Sequence, residues 1–119
     1  MAELSTLARP YAKAAFEYAL EAGDLQGWSD SLGTASSVAK QSTVDQLLSS
    51  PSSTSAEQAA ALTGICGESL SSAGKNFICI LSENRRLKLL PQIAHQFEIM
   101  KANQEKAIEV DVASAQPLD

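Results

Sequence analysis

Histidine occurs once and cysteine twice in these 119 residues. That scarcity excludes a zinc centre: Cys66 and Cys79 are not a CxxC pair, and His95 is the only imidazole available to complete a site. It also excludes a disulfide framework. Both thiols read as reduced, buried and inert, in a chain facing a reducing compartment. Aromatics are 5% of the chain, so the core has to come from Leu, Ile, Val and Ala, which favours close helix packing over a sheet sandwich. Lys and Arg number 9 against 14 Asp and Glu, a net charge of −5. A basic face that could displace counterions from nucleic acid is therefore not expected, nor a broad attraction to anionic lipid. No run approaches the roughly 18 apolar residues of a membrane span. The opening "MAELST" has neither a positive n-region nor an apolar h-region, so no signal peptide is read there. There is no internal repeat.

What is present is globular. Apolar residues are 45% and charged residues 19%, at a length that suits one domain able to bury its own core. Along the chain the apolar spacing is helical. Ser5 or Thr6 can cap a first helix with Pro10 near its first turn, ending at Ala22 before Gly23. Asp24 caps a second, whose face Leu25, Trp28, Leu32, Ala35 and Ala39 is spaced 3, 4, 3, 4. A short third helix fits Thr43 to Ser49, with Val44, Leu47 and Leu48 inward, and Pro51 ends it. "SSPSSTS" (49–55) is a polar turn. Ser55 with Gln58 fits a capping box for a fourth helix, with Ala59, Leu62, Ile65, Cys66 and Leu70 inward. "LSSAGK" (70–75) is a break, and the very apolar "NFICILSEN" (76–84) is a fifth helix. The sixth has Pro91 in its first turn, buries Leu87, Leu90, Ile93, Ala94, Phe97 and Met100, and reaches about Lys106. In "AIEVDVAS", Ile108, Val110 and Val112 recur at period two, which reads as a half-buried strand. A lone strand needs a sheet. The organisation predicted is an all-α six-helix bundle over 1–106, and a strand-like tail over 107–119 that begins a missing α/β domain.

Catalytic constellations are weak. Gly74-Lys75 invites a phosphate-loop reading, but the spacing requires Gly where Ser69 stands. Ser37/Lys40 and Ser72/Lys75 both match S-x-x-K, with no S-D-N or K-T-G companion. His95 lies on helix six as a boundary or surface residue. Glu17, Glu21 and Glu98 sit on charged, solvated faces. Arg85, Arg86 and Lys88 cluster at the turn before helix six, as a solubilising turn or a contact for an acidic segment. Trp28 is a core anchor that can also serve an interface. No catalytic, cofactor or metal residue is assigned.

Helices one and five carry more apolar surface than one buried stripe requires. In "LARPYAKAAFEYAL" (7–20), Leu4, Leu7, Ala8, Tyr11, Ala15, Tyr18 and Ala22 form one stripe, and Ala12, Phe16, Ala19 and Leu20 a second. Charged Lys13, Glu17 and Glu21 fill what remains. A surface helix commonly buries an arc of about 100°. In helix five, Phe77, Ile78, Ile80 and Leu81 again exceed one stripe. Either both helices are central in the bundle, or a groove between them takes another chain's amphipathic helix. Ala8, Ala12, Ala14, Ala15 and Ala19 keep the surface low enough for close approach.

"LARPYAKAAFEYA", Trp28 and "NFICILSENRRLKLLPQIAHQF" (76–97) resemble the bacterial delta subunit of ATP synthase, a relative of the mitochondrial oligomycin-sensitivity-conferring protein. "EVDVASAQPLD" resembles the family's join to its C-terminal α/β domain. Two departures stand out: Arg85 or Arg86 where the family often has Gly, and the absence of the second domain, as in a fragment. The resemblance implies a non-catalytic stator subunit whose bundle grips the N-terminal helix of an α subunit on the catalytic head. A b-subunit stalk would be reached through the missing domain. It implies no cofactor, no nucleic acid, no membrane insertion, a monomer in isolation, and a peripheral place on the cytoplasmic face of a bacterial inner membrane. The seat it implies comprises Tyr11, Ala14, Ala15 and Tyr18 with Phe77, Ile80, Leu81 and Asn84. The competing readings are a small helical enzyme or ligand carrier with a buried pocket, and an acidic regulatory adaptor outside ATP synthase.

Overall fold

In a computed structural model, described for residues 2–67 and 70–115 (side chains over 4–67 and 70–107), the chain forms six α-helices. They are α1 (Ala2–Ala22), α2 (Leu25–Lys40), α3 (Ser42–Ser49), α4 (Ser55–Cys66), α5 (Ser72–Glu83) and α6 (Leu90–Ala115), with a 3₁₀ turn at Leu87–Leu89 before α6. No strand occurs among the described residues. The all-α bundle expected from the apolar spacing is the architecture found.

Helix ends follow local chemistry. The Asp24 carboxylate accepts from the Gly27 amide and starts α2. Gly23 ends α1 at φ 68°, where the amides of Gly23 and Asp24 return to the carbonyls of Leu20 and Ala19, closing a Schellman motif. Arg85 ends α5 the same way at φ 57°: its amide bonds Ser82 O at 2.9 Å, and the Arg86 amide bonds Leu81 O at 2.7 Å. A side chain in that region costs about 1–2 kcal/mol that glycine escapes.

Several boundaries differ from the sequence reading. The first helix already begins at Ala2, so Ser5 and Thr6 lie inside it and Pro10 is mid-helix; Ser5 Oγ instead donates to Gln92 Oε1. The capping box of α4 is Thr54 with Glu57, one residue earlier than Ser55 with Gln58. That register buries Gln58, whose Nε2 donates to Leu47 O. The break assigned to 70–75 is shorter, because Ser71 Oγ caps the Gly74 amide and α5 starts at Ser72. The strand expected at Ile108, Val110 and Val112 is helix, since α6 runs past Lys106 to Ala115. Among the described residues there is no second strand to pair with, and the backbone satisfies its hydrogen bonds locally by continuing the helix.

The core is aliphatic. Ala8, Ala12, Ala15 and Ala19 give α1 a buried line of small residues, and α1 and α2 both pack chiefly on α6. Phe97, fully buried on α6, meets Phe16 edge-on with centroids 5.9 Å apart. All five face residues expected of α2 lie in or against this core. Ile65 does not join them, being 53% exposed on α4. Cys66 is buried, and Cys79 is exposed on α5, against the expectation of two buried thiols. Burial pushes the Cys66 thiol above its ordinary pKa. No described helix is long and apolar enough to cross a membrane.

Candidate partner-binding groove

The α1 sequence sorts into a buried line, two flanks and a charged back. One flank holds Ser5, Arg9 and Phe16, and α6 lies along it. The other holds Leu4, Leu7, Tyr11, Ala14 and Tyr18, at the i, i+3, i+7, i+10, i+14 spacing of one stripe. Helix α5 stands across from this second flank but leans on α4, and it scarcely touches α1. The space between them is a groove of about 590 Å³.

Ala14, Ala15 and Tyr18 form one wall of the groove, and Ser72, Ala73, Asn76, Phe77 and Ile80 form the other. Trp28 of α2 is the floor, 6% exposed. Its ring lies 5.4 Å from Tyr18 and 5.7 Å from Phe77, centroid to centroid, the latter edge-to-face. Such pairs fix ring orientation and add to the area they bury. Tyr18 and Ile80 face outward, 52% and 44% exposed. Every lining residue is uncharged, with polar atoms from Ser72, Asn76 and the Tyr18 hydroxyl at the margins. An apolar trough with a few polar groups at its edge suits one face of an amphipathic helix better than a charged small molecule.

Of the eight seat residues implied by the resemblance, Ala14, Ala15, Tyr18, Phe77 and Ile80 meet in this groove. Tyr11 is half-buried against the core on the same flank of α1. Leu81 is fully buried and presents no surface. Asn84 is exposed at the C-cap of α5, its Nδ2 donating to Ile80 O. Trp28, Ser72, Ala73 and Asn76 line the groove without having been assigned to it. Its place in the sequence makes Trp28 an anchor able to serve an interface, but helical spacing alone does not show that α2 passes beneath the gap.

Two other hollows are more polar or smaller. One of about 440 Å³ lies between α1 and α6, lined by Ser5, Arg9, His95, Gln96, Ile99 and Met100, and Gln96 Nε2 bridges it by donating to Ser5 O at 2.8 Å. The other, about 320 Å³ between α4 and α5, includes Cys79, Ser82 and Glu83. Among the described residues no group of His, Cys, Asp or Glu side chains could hold a metal ion.

A family model for the ATP synthase delta (OSCP) subunit matches residues 7–119. The ATP synthase subunit delta of Teredinibacter turnerae is 53% identical over 119 residues, covering all of this chain and 67% of the relative. That of Thioalkalivibrio sulfidiphilus is 48% identical over 118 residues, covering 99% and 66%. The chain thus spans about two thirds of the length of these relatives. With the family model matched from α1 to the chain's last residue, and about half of all positions identical to proteins of that name, the chain belongs to the ATP synthase delta (OSCP) subunit family.

Proposed function

We propose that this bundle is the head-gripping part of a stator: it seats the N-terminal helix of an α subunit in the α1/α5 groove and carries no catalysis of its own. The observation that carries the reading is the groove itself, an uncharged trough with an aromatic floor, left open because α5 leans on α4 and not on α1. A stator must resist rotor torque through long-lived binding. A standard interface buries about 800 Å² per partner around a few large anchors. Tyr18, Trp28, Phe77 and Ile80 supply anchors of that kind, and Ala14 and Ala15 let a partner backbone come close.

In this reading residues 1–106 grip the head. The segment from 107 leads toward a further domain that joins the b-subunit stalk, and the assembly is peripheral on the cytoplasmic face of the membrane. Leu81 contributes from beneath, by supporting α5, and not by contact. Trp28 is the only tryptophan, so its emission reports directly on the groove. Titrating a synthetic α-subunit N-terminal peptide into the 119-residue chain should change that emission saturably. Ala14→Asp should leave the bundle folded, because residue 14 is exposed, yet weaken binding at least tenfold by putting a charge against apolar surface. Undiminished affinity in the Ala14→Asp protein would remove the groove from the proposal.

A further inference from the structure

We infer that the polar loop 49–55 is a strap that sets the position of α5, and with it the width of the groove. The functional consequence rests on the docking reading above; the mechanical claim stands on the geometry alone. Because α5 has almost no direct packing against α1, its position is set by α4, on which it leans, and by the ties at its C-terminal end. The last turn of α5 and the residues after it supply three donors at a spacing of three residues, and all three reach the segment that runs from the last residue of α3 to the first of α4. Ser82 Oγ donates to Ser55 O. Arg85 Nη1 donates to Ser53 O at 2.9 Å. Lys88 Nζ donates to Ser49 Oγ at 2.8 Å and lies 3.9 Å from the Asp45 carboxylate.

Two features mark this lacing as more than a decorated loop. Ser82 and Ser53 are both buried, so two of the three ties have one end anchored in the protein. Arg85 also occupies a backbone conformation at φ 57° that glycine would take without strain, and its side chain there reaches Ser53, which glycine's could not. Ile80, the outermost apolar residue of the groove's α5 wall, lies half a turn from Ser82. Releasing the strap therefore frees the end of α5 that carries Ile80.

The test uses Arg85→Asn, which tolerates the left-handed conformation but cannot reach Ser53, with Lys88→Ala as a second variant outside the strained position. Amide exchange on the free 119-residue chain is expected to quicken about fivefold at 51–54, the factor for one lost hydrogen bond, and to quicken also at 80–84. The melting midpoint should stay near that of the parent, while affinity for the synthetic α-subunit peptide falls about threefold or more. Loss of affinity without loss of stability is what a residue that only supports the fold would not give. Faster exchange confined to 51–54, with α5 amides and peptide affinity at parent values in both variants, overturns the strap. If the parent chain itself fails to bind the peptide, the docking reading falls, and exchange at 80–84 alone decides the strap.

Discussion

The two flanks of α1 solve the same problem in opposite ways. On the α6 side, Phe16 meets fully buried Phe97, and Ser5 is bridged to Gln92 and Gln96. On the α5 side, Tyr18 stands 52% exposed over Trp28 and faces Ile80 across a gap. Both flanks carry large apolar side chains, so hydrophobicity does not separate them. What separates them is whether a neighbouring helix packs directly against α1. Helix α6 does; α5 is held by α4 and by the loop before it. A groove here is thus a consequence of where the sixth and fifth helices rest, and a periodic pattern in α1 alone cannot reveal it.

The contrast can be broken from the closed side first. Phe97→Ala should cost about 3–5 kcal/mol, lowering the denaturant midpoint steeply in an equilibrium unfolding curve. A loss under 1 kcal/mol would mean that the α1/α6 flank is looser than its geometry implies. On the open side the balance reverses. Ile80→Ala removes a side chain already 44% exposed, so stability should shift by about 0.5 kcal/mol, whereas binding of an α-subunit peptide should weaken by about 1–2 kcal/mol. Equal losses in both assays would place Ile80 with the core.

The thiols sharpen the same contrast between filled and open surface. Cys79 is exposed and Cys66 buried, so an aromatic disulfide reagent should titrate one thiol rapidly in the folded chain and the second only on unfolding. Burial raises the Cys66 pKa in the fold above its value in the unfolded chain. Below the unfolded value both states hold the proton and the thiol adds no pH dependence. Above it the unfolded chain releases the proton first, so stability falls as pH rises toward the folded pKa. Cys66→Ala should flatten that alkaline limb. The smallest effect is expected at Arg85→Gly: relief of about 1–2 kcal/mol of backbone strain against loss of a hydrogen bond worth about 1 kcal/mol leaves the unfolding midpoint nearly still.

Most of the bundle was legible in the sequence because helical burial repeats along one element. The α2 face from Leu25 to Ala39 and the α6 face from Leu90 to Met100 stand where their spacing put them. Stops with a unique chemical signal were legible as well, such as Gly23 and Asp24. Starts with two adjacent solutions were not. Thr54/Glu57 and Ser55/Gln58 satisfy the same capping pattern, and the tertiary bond from Gln58 to Leu47 O distinguishes them. The period-two run Ile108, Val110, Val112 misled because alternation describes a strand only where a partner strand exists; α6 carries it as helix. For the groove, the two walls could be narrowed to α1 and α5 from their excess of apolar residues. The floor could not, since Trp28 reaches it from a third helix, and Leu81 differs from Ile80 by one position and an entire change of face.

The central claim is that the open flank of α1, and not the closed one, receives the partner. Chemical-shift mapping of the labelled 119-residue chain with an α-subunit N-terminal peptide tests it most directly. The account predicts that the largest shifts fall on Ala14, Tyr18, the Trp28 indole, Asn76 and Ile80, and that Arg9, His95 and Ile99 stay near their free positions. Shifts concentrated on Arg9, His95 and Ile99, with the Trp28 indole unmoved, would contradict it.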